Sequence, residues 1–230
     1  IIHHYPQQDQ PDIYRKPGCW WPTLNFRWHL VSWRFKFFDR YLDNRTRFAR
    51  HAMAIDEQRA DFDRVPWGIK GDRQALAAGE QQEKPDEPDW FRQVWFAGGH
   101  SDIGGGSYPE AESGLADTCL AWMVQQLQEL PEPPLFNPAR LHFTPDAQDV
   151  QHCAVNELRD KYPAWWPSTL RFSWKAAQRH IPSEAVLHDS VLERLSASTV
   201  LHNAEWRPYR PDALRKHTLA GSHYMQNAQE

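Results

Sequence analysis

Val94, Trp95, Phe96 and Ala97 form a short, wholly apolar run that ends at Gly98-Gly99, and beyond it the hydrophobic period changes. A run this short, bounded by glycine, fits a strand covered on both faces, as in a parallel sheet. Leu115, Cys119, Leu120, Met123, Leu127 and Leu130 then recur at helical spacing, with Ser113 available near the start. Strand, glycine-rich bend and helix, in that order, are the grammar of an α/β fold. The expected strand is 93–98 and the expected helix 114–130.

The rest of the 230 residues contains no internal repeat and is long enough to bury one large core or two small ones. Residues 1–18 are polar, with Pro6, Pro11 and Pro17, and read as irregular. Residues 19–41, "CWWPTLNFRWHLVSWRFKFFDRY", are densely aromatic and predict two short strands or a packed irregular flap, a cap-like insertion. Asp43 can cap a following helix over "NRTRFARHAMAIDEQRADF", where Phe48, Ala52, Ile55, Arg59 and Phe62 recur at four-three spacing. Residues 68–89 carry almost nothing to bury and read as a variable surface loop. Helical patterns return at 150–162 and 183–195, and "EWRPYRPDAL" reads as an ordered terminal strap.

Composition removes several classes of function. A net charge of −4 leaves no broad basic footprint, so a nucleic-acid partner is not expected. No apolar stretch approaches the roughly 20 residues that span a bilayer, and no charged-then-apolar signal segment opens the chain. Cys19, Cys119 and Cys153 are odd in number and far apart, which indicates isolated buried thiols and not a disulfide framework. His3-His4, His142, His152, His180, His188 and His202 lack the close pairing of a zinc site and read as scattered surface histidines. Neither metal nor cofactor is expected.

Three chemistries compete for the bend "GGHSDIGGGSY". A phosphate cradle would need G-K-[ST] or a dinucleotide fingerprint, and Gly104-Gly105-Gly106 is followed instead by Pro109. A nucleophile elbow at Ser101 would need G-x-S-x-G, but the fifth position is Ile103. The third chemistry makes His100 the base of a Ser-Asp/Glu-His triad, in which the histidine comes last in chain order, on a loop past a strand's carboxyl end. On the residues alone, this stands beside the plainer reading that the glycines only permit a tight turn.

"VWFAGGHSDIGGGSY" followed by "GLADTCLAWMV", with "ARHAMAIDEQRADF" upstream and "LHDSVLERL" and "YRPDAL" downstream, resembles the bacterial α/β-hydrolase family of Tle-type type VI secretion phospholipase effectors. The resemblance runs from about Phe38 to Leu214, and HSDIGGG is its most specific element. It implies that His100 is the triad histidine of a serine ester hydrolase, taking the serine proton and returning it to the leaving alcohol. Ser101 and Asp102 would hold the loop's shape, and Gly104, Gly105 and Gly106 would turn the backbone away from the substrate. His51 and Asp56 are candidates for supporting the site from behind. The family's G-F-S-R-G-type elbow and W-D-T-type aspartate occur nowhere in the chain. With a first residue that is not Met, this leads to the expectation of a C-terminal portion of one α/β-hydrolase catalytic domain, inactive alone. Such a portion would hold the last strands and helices of a mainly parallel sheet.

A lipid or ester substrate is implied, and Trp20, Trp21, Trp28 and Trp33 beside Arg27, Arg34 and Lys36 would suit either contact with a membrane surface or packing beneath a cap. Cytoplasmic synthesis is the default, and export by a type VI system is implied by the family. The alternative is a non-catalytic membrane- or partner-binding module built on the Trp-rich block.

Overall fold

The apolar run 94–97 lies at the centre of the structure because its strand is covered from both sides. The computed structural model describes residues 41–42, 46–62, 68–69, 90–106, 108–156, 163, 165–167, 174–202 and 205–225. All of them fall within the unit Arg40–Glu230. The aromatic block as far as Arg40, the Asp43 cap and residues 70–89 lie outside the described residues.

Six strands are described: β1 (Tyr41–Leu42), β2 (Ala49–Ala54), β3 (Gly68–Ile69), β4 (Phe91–Phe96), β5 (Val200–His202) and β6 (Glu205–Arg207). β1 pairs with β3 and β2 with β4, both in parallel, while β5 and β6 form an antiparallel pair. Ala52 stands opposite Val94 and Met53 opposite Trp95, and the pairing runs on past the strand ends through Ile55 N–H to Phe96 O and Asp56 N–H to Gly98 O. On its other edge, β4 takes a parallel bridge from Leu187: Trp95 N–H donates to Val186 O, and His188 N–H to Trp95 O. The strand expected at 93–98 is thus present, shifted to 91–96, with chain on both edges.

Strand alternation sorts the side chains into two cores. Val94 and Phe96 face helix α2, where Cys119 and Trp122 complete the cluster with Ala52 and Ile103 beside them. Trp95, Met53 and Ile55 face the other way, onto Leu187, Val191, Leu195, Val200, Tyr209 and Leu214. The helices are α1 (His100–Gly104), α2 (Gly114–Gln128), α3 (Asp189–Ser196) and α4 (Ser222–Met225). Mixed helices and strands with parallel pairing are compatible with an α/β architecture, and α2 agrees with the helix expected at 114–130. Ser113 is the residue before α2, but its Oγ donates to Glu110 O and Asp117 Oδ2 instead of capping the helix.

The helix expected from Phe48 to Phe62 is not formed. Ala49–Ala54 is strand β2, and only Ala60–Phe62 makes a short 3-10 turn. The physical reason is that this strand is covered on both faces and contains alanine at 49, 52 and 54, so no period-2 contrast marks it. The pairing with Phe91–Phe96 then decides the conformation. The helix expected at 150–162 likewise does not start where the pattern placed it: Gln151 N–H donates to Leu201 O, and only 154–156 are helical before the described residues stop. At 183–195 the helix begins later, at Asp189, because Val186 and His188 are used on the edge of β4 and the His188 ring nitrogen Nδ1 accepts Ser190 N–H as a cap. The terminal strap is ordered, with Tyr209 and Leu214 buried in the larger core.

Candidate functional site

β2 and β4 run in parallel and end together, so the segments that follow them, 55–59 and 97–102, meet at one edge of the sheet. The carboxyl edge of parallel strands is where α/β folds bind ligands. Gly98 makes the turn out of β4 at φ +120°, and a Cβ there would sit 2.6 Å from Asp102 Cβ. Gly105 and Gly106 follow α1 at φ +71° and +83°, in the region that suits glycine, while Gly104 is the last residue of the helix itself. The bend itself is a turn of helix rather than an open loop, with Gly105 N–H closing on Ser101 O.

His100 is the first residue of α1 and is exposed. Its N–H donates to Glu57 Oε2 at 3.3 Å, and its ring lies beside that of Phe62, tilted by 60° with centroids 5.5 Å apart. No described residue hydrogen-bonds its ring nitrogens. Glu57 is in turn gripped by Arg59, whose Nε and Nη2 donate to Oε1 and Oε2 at 2.9 and 2.7 Å, and the same guanidinium lies over Phe62 at 3.6 Å. Burial would raise the Glu57 carboxyl, but the Arg59 guanidinium and N–H, with the His100 N–H, hold it below the usual carboxylate range. The chain of contacts returns on itself, from Glu57 through Arg59 and Phe62 to the His100 ring.

Asp102 points inward. Its Oδ2 accepts Gly99 N–H at 2.8 Å and His152 N–H at 3.2 Å, while Oδ1 faces His152 Nδ1 at 2.8 Å. It therefore holds the backbone beside His100 and serves a different histidine with its other oxygen. Asp56 Oδ2 accepts both Gly98 N–H and the Tyr209 hydroxyl at 2.8 Å. Desolvation raises its pKa, opposed by those two donors and the Arg194 charge. Asp56 thus supports the turn after β4 from behind. His51, by contrast, bonds Gln93 Oε1 across the sheet at 3.2 Å, within the strands and not at their ends. Both were expected on a helix; one is on β2 and the other just beyond it.

Reading His152, His188 and His202 as surface histidines is also corrected. His152 and His202 are buried, and the His188 ring stacks on Phe96 at 4.6 Å. Desolvation, helped by the Arg207 and Arg194 charges, pushes the His202 pKa down to about 4. Arg194, with its side chain wholly buried, is the other residue sequence reasoning passed over: Nη1 donates to Ala147 O and Asp149 O at 2.7 and 2.8 Å. The one available signal for His152 was its place between Val150 and Cys153, both buried. Cys119 and Cys153 are buried as expected, with Cys153 Sγ 3.6 Å from Gln58 Oε1, and burial pushes the Cys119 thiol up to about 12.

A cleft of about 490 Å³ adjoins this edge, sharing Asp56, Glu57 and Gln58 with the smaller depression around His100 and lined beyond them by His202, Arg207 and Tyr209. Among the described residues, no group of three His, Cys, Asp or Glu side chains is placed to hold a metal ion. Nor, among them, is any helix long and apolar enough to cross a membrane.

A family model, T6SS, Phospholipase effector Tle1-like, catalytic domain, matches residues 18–126, which takes in β2, β4, α1 and nearly all of α2. Over that span the chain matches a Tle-type effector family. The resemblance carried by HSDIGGG is thereby borne out, and the match supports a bacterial phospholipase effector, a hydrolase, with a lipid substrate and a fit to type VI secretion. No curated protein and no solved structure matches the chain.

Proposed function

We propose that this chain carries the general base of a serine ester hydrolase on an α/β-hydrolase scaffold, with His100 as that base. The observation that carries the reading is the contrast between the His100 backbone and its ring. The backbone is tied to Glu57 and to the Asp102-held turn, while the exposed ring nitrogens have no described partner. A base must be fixed in place and yet have an uncommitted nitrogen.

In this reading His100 takes the proton of a serine hydroxyl as its oxygen attacks the ester carbonyl. It then protonates the departing alkoxide, and in the second half it takes a proton from water to release the acid. In this reading Asp102 is a loop support and not the triad acid: its carboxylate faces Gly99 and His152, and no described contact joins it to the His100 ring. No G-x-S-x-G and no W-D-T occur in the 230 residues, so the serine and the acid come from outside them and these residues alone hydrolyse no ester. Asp102 supports the loop through its side chain, and Ser101 only through its backbone carbonyl, which accepts Gly105 N–H. The substrate class is a phospholipid or related carboxylic ester, met at a membrane surface after export by the type VI system.

The test is the complete gene, as wild type and as His100→Ala, assayed on a short-chain p-nitrophenyl ester and on a phospholipid. Removing the base of a triad costs on the order of a millionfold in turnover. Wild-type turnover in His100→Ala would refute the assignment.

A further inference from the structure

We propose that His152 is a doubly protonated clamp that positions the His100-bearing turn by bridging Asp102 and Glu112; as a positioning role it rests on the His100 reading above. Its Nδ1 lies 2.8 Å from Asp102 Oδ1 and its Nε2 3.2 Å from Glu112 Oε2. An ionised carboxylate can only accept, so each ring nitrogen facing one must carry a hydrogen, and only the imidazolium has two. The Tyr108 ring lies flat on the imidazole, with centroids 3.4 Å apart and planes 7° from parallel, a contact that favours a cation. The histidine side chain is only 10% exposed and Asp102's 2%, so their charge-assisted contact is formed largely out of water.

The clamp joins three separate segments: α1 through Asp102, residues 108–112 through Tyr108 and Glu112, and residues 151–153. Three further titratable groups among the described residues lie near it: His202, Cys153 and Arg194. His202, on β5, is uncharged at neutral pH, since burial lowers it first of all. The Cys153 thiol is buried. Arg194, on α3, interacts by charge with Asp102 and His202.

What the clamp secures is Asp102 Oδ2, the acceptor for Gly99 N–H immediately before His100. If His152 loses a proton, one carboxylate loses its donor and the start of α1 loosens. Displacing a catalytic group by about 1 Å can cost on the order of a hundredfold.

The direct measurement is a long-range nitrogen–proton spectrum of the complete protein labelled at histidine nitrogen, with the His152 signals identified by their loss in His152→Gln. Expected at about pH 7.5, a unit above the ordinary histidine midpoint, is the imidazolium pattern with both ring nitrogens protonated. A neutral single tautomer there overturns the clamp. Glu112→Gln alters a half-exposed side chain and so keeps the fold. In it the imidazolium should release its proton at lower pH than in the wild type, and an unchanged titration overturns the bridge. On the ester assay, His152→Gln should lower kcat roughly 10- to 100-fold with KM unchanged, and unchanged kcat overturns the positioning role. A complete wild-type protein that hydrolyses no ester strikes instead at the His100 reading, whereas the ring-nitrogen spectra decide the clamp independently.

Discussion

Replacing Asp102 by alanine tests how much of the fold hangs on one buried carboxylate. The side chain satisfies three donors, Gly99 N–H, His152 N–H and His152 Nδ1, and the substitution leaves all three without that partner. One unsatisfied buried donor costs about 1–3 kcal/mol, and such costs within a network do not simply add. With His152 protonated as proposed above, breaking a buried ion pair by removing one partner costs about 3–5 kcal/mol, which brackets the same event from the electrostatic side. Both routes meet near 4 kcal/mol. In a unit of this size each kcal/mol moves the melting temperature by roughly 2–4 °C, so Asp102→Ala should melt about 8–16 °C below the wild type. Asp102→Asn should recover only part of this, because an amide offers an NH₂ where one of the donors needs an acceptor. Ser101→Ala is the control: with no side-chain hydrogen bond described for it, the change should stay within about 0.5 kcal/mol. Thermal melting of the three variants of the complete protein, followed by near-UV circular dichroism, decides the matter. An Asp102→Ala protein that melts within about 2 °C of the wild type would show that the network carries little energy and that the reasoning fails.

Gly98→Ala should destabilise by about 3 kcal/mol or more in urea unfolding, since φ +120° is strained for any other residue and the new Cβ would meet Asp102 Cβ at 2.6 Å. Glu57 has a folded pKa below its unfolded value, so its contribution is present above the ordinary carboxylate range and is lost as the pH falls through that range and below it. Glu57→Gln should therefore lower the melting temperature at neutral pH and flatten its decline in acid, and parallel pH profiles for the two proteins would contradict the Arg59 pairing. Leu195→Ala, at a wholly buried position facing Trp95 and Val191, should cost about 3 kcal/mol in the same unfolding assay.

The contrast between β4 and β2 shows where local pattern suffices. Val94 to Ala97 is continuous, apolar and bounded by glycine, so both its conformation and its burial could be read directly, and α2 repeats its apolar residues often enough to declare its period. β2 has alanine at three of its six positions, and its helical spacing from Phe48 to Phe62 was accidental. The site divides in the same way. The glycine turn at HSDIGGG and the place of His100 just past the strand were legible because backbone reversal after a strand is a local feature. Glu57, Arg59, His152 and Glu112 were not, because each acquires its role from partners far along the chain, 43 residues away for Glu57 and His100 and 50 for His152 and Asp102.

The amino-acid order by itself determined the strand–bend–helix unit at 91–128, the need for glycine at its turn and the family the chain resembles, all of which depend on neighbouring residues and short-range sterics. Only the tertiary structure decided that 49–54 is a strand, that Asp102 turns inward to His152 while His100 stays at the surface, and that Arg194 is buried against Ala147 and Asp149 carbonyls. A strand needs a partner to satisfy its backbone, and a buried charge needs one to leave water; no local pattern names either partner.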